Sequence, residues 1–153
     1  MVGLSYYMLK GLVNKMSILL SNRALHYKNG IFTMAELPKY SLKCGYKLAL
    51  GIFLDKFYAC EDENKFYLIK DEPETGVLND LQHCKLAAAA HKLANDYFLD
   101  IPPWVMRDKY IMRYPVYAFD SDDIEHQKLL RETTPDEYKI RNLFLGSGVL
   151  KRT

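Results

Sequence analysis

The chain has little of what usually announces a chemistry. Cysteine occurs three times, at Cys44, Cys60 and Cys84. The odd number, the wide spacing and the lack of a CxxC exclude a disulfide framework and a zinc-finger set, and fit reduced thiols of a cytoplasmic protein. His83 stands beside Cys84 but brings no further ligand, so no metal is expected. No glycine-rich loop opens a helix, since Gly146-Ser147-Gly148 follows a helical pattern instead, which excludes the usual phosphate cradle. HExxH, GxSxG and paired catalytic carboxylates are missing too, and no cofactor is expected. Apolar runs are short: Lys10 interrupts the N-terminal one, with no small-residue cleavage pattern after it, so neither a membrane span nor a leader is expected. The net charge of +2 is too small to argue for a nucleic-acid partner.

What is present describes a folded domain. At 153 residues, 49% apolar and 26% charged, the chain has the size and composition of one globular unit and not of a disordered one. Twelve Tyr and seven Phe require a deep core or a partner surface. Charge is unevenly spread: residues 1–60 hold eight Lys/Arg against Glu36 and Asp55, while 61–153 hold thirteen against seventeen acids. Such a front either steers an anionic partner or docks on the acidic remainder of its own fold. Residues 1–33 read as a loosely held N-terminal extension. Within it, 1–15 are a start-site extension before Met16 or a short amphipathic helix with Leu4, Met8 and Leu12 on one face. The helical domain is expected over 34–153.

Along that domain, Thr33 and Glu36 form a capping box for a helix that is brief or restarts after Pro38. From Ser41, the stretch LKCGYKLALGIFLDKFYACE is apolar on nearly every side and predicts one central helix. Residues 64–70 fit strand or helix, since FYLI is β-prone, with helix preferred, and 71–76 read as a loop rich in breakers. Leu78 to Leu99 is the clearest helix: Leu86, Ala90, Leu93 and Tyr97 share a stripe, and Ala87 to Ala90 let other elements come close. Asp100-Ile101-Pro102-Pro103 ends it, and Trp104 is expected to be buried against its C-terminal part. Tyr110 to Phe119 reads as extended chain or short turns. Asp122-Asp123 caps a helix through about Thr133, and Thr134-Pro135-Asp136-Glu137 starts another that runs to about Leu145. The fold class is all-α, a single-domain bundle of about five to seven helices.

Two charges interrupt apolar helical stretches, Asp55 in GIFLDKFY and Arg141 beside Asn142 in IRNLF. An ionised group there is costly unless paired, so the two are expected to meet in a buried pair. The pair either locks two helices or holds a ligand group. His91 lies at the margin of its helix stripe. It reads as a satisfied, partly buried histidine or, with Asn142, as part of a pocket. The acids Asp120, Asp122, Asp123 and Glu125 lack the glycine and closing glutamate of a calcium loop and read as a solvated helix start.

The segments Phe53-Leu54-Asp55-x-Phe57-Tyr58, Asp71-Glu72-Pro73, Leu86-Ala87-Ala88, Pro103-Trp104-Val105 and Thr134-Pro135-x-Glu137-Tyr138-x-x-Arg141-Asn142-Leu143-Phe144 together resemble a family of small bacterial proteins. The resemblance covers about residues 40–153 and extends to the tail of antitoxin-type helix-turn-helix regulators. Only about 40 residues precede the shared part, too few for a complete DNA-reading domain, so DNA binding does not carry over. What the resemblance implies is a non-enzymatic helical interaction module with a protein partner, antitoxin-like or regulatory. Its candidate contact residues are Trp104, Tyr110, Tyr114 and Tyr117. The alternative is an enzyme or small-ligand binder with a pocket around Asp55, His91 and Arg141.

Overall fold

The computed structural model of the chain describes residues 32–152, and the expectations for residues 1–31 lie outside them. Six α-helices occupy the described residues: α1 (Leu37–Cys44), α2 (Tyr46–Ala59), α3 (Asp62–Ile69), α4 (Asp80–Asp96), α5 (Ile124–Thr133) and α6 (Asp136–Lys139). Two short strands, β1 (Val116–Tyr117) and β2 (Leu143–Phe144), are the only sheet among them. The domain is therefore all-α, as the periodicity predicts.

Thr33 and Glu36 cap one another: the Thr33 amide donates to Glu36 Oε1 at 3.0 Å. A 3-10 turn over Met34–Glu36 leads straight into α1, with Pro38 in the first turn, where a missing N–H breaks no helical bond. Phe32 is buried and stacks on Tyr40 at 4.2 Å, so core contacts begin before residue 34. The single helix predicted from Ser41 is in fact two. Gly45 sits at φ 90 between α1 and α2, a conformation that side chains resist, and the two helices fold back on each other there.

The longest helix, α4, begins with a reciprocal cap. The Gln82 amide donates to Asn79 Oδ1 at 2.8 Å, and the Asn79 amide to Gln82 Oε1 at 3.1 Å. Leu86, Ala90 and Leu93 are buried, with Ala87, Ala88 and Ala89 beside them. Small side chains allow α6 and two 3-10 turns, Pro103–Met106 and Asp108–Tyr110, to pack directly on this helix. Tyr97 departs from the expected stripe and is 36% exposed. The helix stops at Asp96, so Tyr97 follows a non-helical turn and lays its ring edge-on to Phe57 at 5.3 Å. Phe98 then takes φ 56, and the Leu99 amide returns to the Ala94 carbonyl at 2.8 Å to close the helix end.

The C-terminal helix is shorter than predicted. It ends at Lys139 and does not reach Leu145. Thr134 is not its cap: its hydroxyl donates to the Leu130 carbonyl at 2.6 Å and accepts the Gly146 amide at 2.8 Å, tying α5 to the tail. Asn142 takes φ 63 and turns the chain into β2. The strand pairs in parallel with β1, Val116 opposite Leu143 and Tyr117 opposite Phe144. The Asn142 side chain donates to the Met112 carbonyl at 2.7 Å, and its own carbonyl accepts the Val116 amide at 2.8 Å.

Asn142 thus has two duties that separate by mutation. Asn142→Ala should lose about 2 kcal/mol in urea unfolding, from the left-handed strain of a Cβ without local compensation plus the orphaned Met112 carbonyl. Asn142→Gly keeps the turn and should lose about half of that. Equal losses would show that the backbone conformation contributes nothing.

Candidate functional site

Arg141 and His91 meet, and Asp55 is elsewhere. Arg141 is 2% exposed, and its guanidinium is satisfied by acceptors from three parts of the chain. Nη1 donates to the Glu137 carbonyl at 2.6 Å and to His91 Nδ1 at 3.2 Å, and Nη2 donates to the Val105 carbonyl at 2.5 Å. No carboxylate lies within ion-pair distance of it among the described residues. Guanidinium has only donors, so His91 Nδ1 must carry a lone pair and the ring is the neutral Nε2–H form. Burial, helped by the Arg141 charge, holds the His91 pKa below its ordinary value. Burial likewise lowers that of Arg141, whose neighbours are carbonyl dipoles and not a full counter-charge.

The expected Asp55–Arg141 pair is not formed. Asp55 is exposed on α2 and pairs with Arg152 instead, Nε to Oδ1 at 2.8 Å and Nη2 to Oδ2 at 3.1 Å. Gly51, one turn before Asp55, leaves the room in which that guanidinium lies. The hydrogen bonds from Arg152 hold the Asp55 carboxyl below the usual range. Arg152, the penultimate residue of the sequence, carried no signal of this role among the helical patterns. A pocket around Asp55, His91 and Arg141 is therefore absent. Asn142 does not line one with His91 either; it serves the turn described above.

The aromatic candidates divide. Trp104 is buried, as predicted. Its indole N–H donates to the Ile69 carbonyl at the end of α3 at 3.0 Å, and its ring meets Tyr110 edge-on at 5.6 Å. Tyr110 is buried too, and its hydroxyl donates to Glu72 Oε2. Arg107 at 2.6 Å and Lys109 at 3.1 Å complete the Glu72 shell. Burial pulls the Glu72 carboxyl up, but the Tyr110 and Lys109 bonds and the two cations bring it below its ordinary value. Burial, reinforced by Glu72, pushes the Tyr110 phenol up. This cluster pins the 103–110 turns to the end of α3, so Trp104 and Tyr110 are not available as contact residues. Tyr117 is half-buried, stacks on Phe144 at 5.2 Å and accepts a bond from Arg131. Of the four, Tyr114 alone stands out, 66% exposed.

Two phenylalanines that sequence reasoning passed over project further. Phe98 is 95% and Phe119 is 94% exposed, both at positive φ. Left-handed φ at a bulky aromatic has no sequence signature, which is why neither was flagged. Phe119 stands at one rim of a half-open groove of about 700 Å³. The groove is walled by Tyr46, Tyr117 and Tyr138 and floored by Leu50, Leu81 and Leu145. Lys47, Lys85 and Asp120 supply its charges. Comparison of the chain with models of known families, with curated proteins and with solved structures returns no match.

The His91 arrangement has a pH signature. The unfolded chain takes up a proton at His91 near pH 6.5, whereas the folded chain resists it. Stability is therefore full above that pH and lost as the pH falls toward the lowered folded value. His83, also lowered by burial, titrates in the same sense. Urea unfolding at a series of pH values should show wild type losing stability below pH 6.5, with a smaller loss in His91→Asn. Parallel pH curves for the two proteins would remove His91 from the account.

Proposed function

We propose that the chain is a helical protein-interaction domain without catalytic chemistry of its own, in a regulatory or antitoxin-like role, and that it meets its protein partner through the segment from Met106 to Ile124. Met106, Ile111, Tyr114, Phe119 and Ile124 all expose apolar surface along this stretch, and contact surfaces favour large side chains of this kind. The resemblance of about residues 40–153 to small bacterial proteins and to the tail of antitoxin-type regulators supports the same reading.

The observation that carries the proposal is Phe119. Its phenyl ring is 94% exposed while its backbone stands at φ 60. Leaving the ring in water forgoes its burial, and the left-handed backbone costs about 1–2 kcal/mol beyond what glycine would. Neither expense serves the fold, since glycine would make the same turn more cheaply. Phe98 shares both features, but Phe119 has them inside the Met106 to Ile124 stretch beside exposed Tyr114 and Ile124, where strain at an aromatic residue fits a side chain held out for use.

Phe119→Gly should therefore raise stability by about 1 kcal/mol. Combined with Tyr114→Ser, it should sharply reduce recovery of the partner when the tagged chain is isolated from its own host. Quantitative mass spectrometry of what co-purifies with each form reads the result. Identical recoveries from wild type and the double variant would sink the proposal, and so would a Phe119→Gly protein less stable than wild type.

A further inference from the structure

Most polar groups of the domain are answered within it. Glu72 has Arg107 and Lys109, Asp55 has Arg152, and the buried Lys65 donates to the Cys60 carbonyl at 2.7 Å beneath the rings of Phe57 and Tyr97. The groove between α2, α4 and the β1 region is different. Lys47 and Lys85 both line it, and neither has an ion-pair or hydrogen-bond partner among the described residues. Asp120 lines it as well, so two cations and one anion leave the groove one positive charge in excess. Between these charges the surface is apolar: Leu50, Leu81, Val116, Leu145 and Val149. Tyr46 contributes ring surface to the groove, while its hydroxyl is shut off from solvent and out of an occupant's reach.

From this combination we infer that the groove binds a small amphipathic monocarboxylate, an apolar chain or ring ending in one anionic group. The apolar body lies on Leu50, Leu81, Leu145 and Val149. The carboxylate sits within reach of Lys47 and Lys85. The volume, about 700 Å³, lies in the range of small-molecule sites, which are mostly apolar with a few polar groups that fix orientation. The excess of one positive charge favours a monoanion over a neutral, cationic or multiply charged occupant. Phe119 stands at the rim, but the inference goes beyond the protein-partner reading and does not rest on it.

The probes are decanoate below its micelle concentration and naphthoate, each titrated into the full chain and followed by amide NMR. Decan-1-ol and decylamine serve as the neutral and cationic counterparts of decanoate. At least one carboxylate should bind saturably and shift the amides of Leu81, Val116 and Val149, with decanol and decylamine about tenfold or more weaker. Lys47→Gln with Lys85→Gln should weaken carboxylate binding by about tenfold or more without altering the circular dichroism. A second variant fills the space directly. Gly148 lines the groove, and a Cβ there meets only the Lys151 stem at 3.9 Å, so Gly148→Phe should fold and abolish binding. Equal affinity for decanol, unchanged affinity in the lysine variant, or no saturable binding of either carboxylate would overturn the inference. Tyr114→Ser, at an exposed contact residue outside the groove, should lower partner recovery and leave carboxylate binding within about threefold of wild type, so failure of the partner reading and failure of this one are told apart.

Discussion

A guanidinium taken out of water without a carboxylate is the constraint on which the rest of this domain is arranged. Arg141 can be buried only because acceptors from three separate places converge on it: the Glu137 carbonyl from α6, the Val105 carbonyl from the Pro-Trp turn, and the neutral ring of His91 from α4. Each acceptor must be held in position by something else. α6 is held by its packing on α4. The Pro-Trp turn is held by the Trp104 indole on the Ile69 carbonyl and by the Glu72 shell around Tyr110. The backbone beside the guanidinium continues the arrangement, because the Arg141 carbonyl accepts the Met112 amide at 3.0 Å and Asn142 receives the 112–116 segment. One residue therefore couples α4, the long 102–117 connection and the C-terminal turn.

That coupling is possible because α4 presents so little bulk. Ala87, Ala88, Ala89 and Ala90 are all buried, and alanine combines high helix propensity with the smallest side chain that still supports it. Elements beside the helix come closely enough for main-chain carbonyls, and not only the His91 ring, to serve as partners for Arg141. The rigid centre contrasts with the rim. Phe98 and Phe119 stand in the left-handed region with their rings in solvent, and Lys47 and Lys85 line a groove whose only acid among the lining residues is Asp120.

Where the fold was legible in the sequence, local chemistry decided the outcome. The capping pair Thr33–Glu36, the alanine run and the breakers at 71–76 act over a few residues, and the elements they predict are present. Where it was not, a backbone conformation or a distant partner decided. Gly45 splits a stretch whose apolar pattern is continuous, because φ 90 at one residue leaves no trace in periodicity. The helix expected to run to Leu145 stops at Lys139, and the chain turns away at Asn142, whose side chain is recruited by Met112 thirty residues upstream. The candidate site shows the same division. Burial of Arg141 and Trp104 follows from their apolar surroundings. The mistaken pairing of Arg141 with Asp55 assumed that a buried charge needs an opposite charge, when three well-placed carbonyl and imidazole acceptors suffice.

The most direct test of that last statement is Arg141→Lys, read by urea unfolding together with hydrogen exchange at the Met112 and Val116 amides. Lysine keeps the positive charge, but its ammonium is a single point and cannot reach the Glu137 carbonyl, the Val105 carbonyl and His91 together. The account predicts a loss of about 2–4 kcal/mol, with two acceptors orphaned, and faster exchange at both amides as the 112–116 segment loosens. A variant within about 0.5 kcal/mol of wild type and with unchanged protection at Met112 and Val116 would contradict it, and would show that charge alone, without the geometry of the guanidinium, is what the core requires.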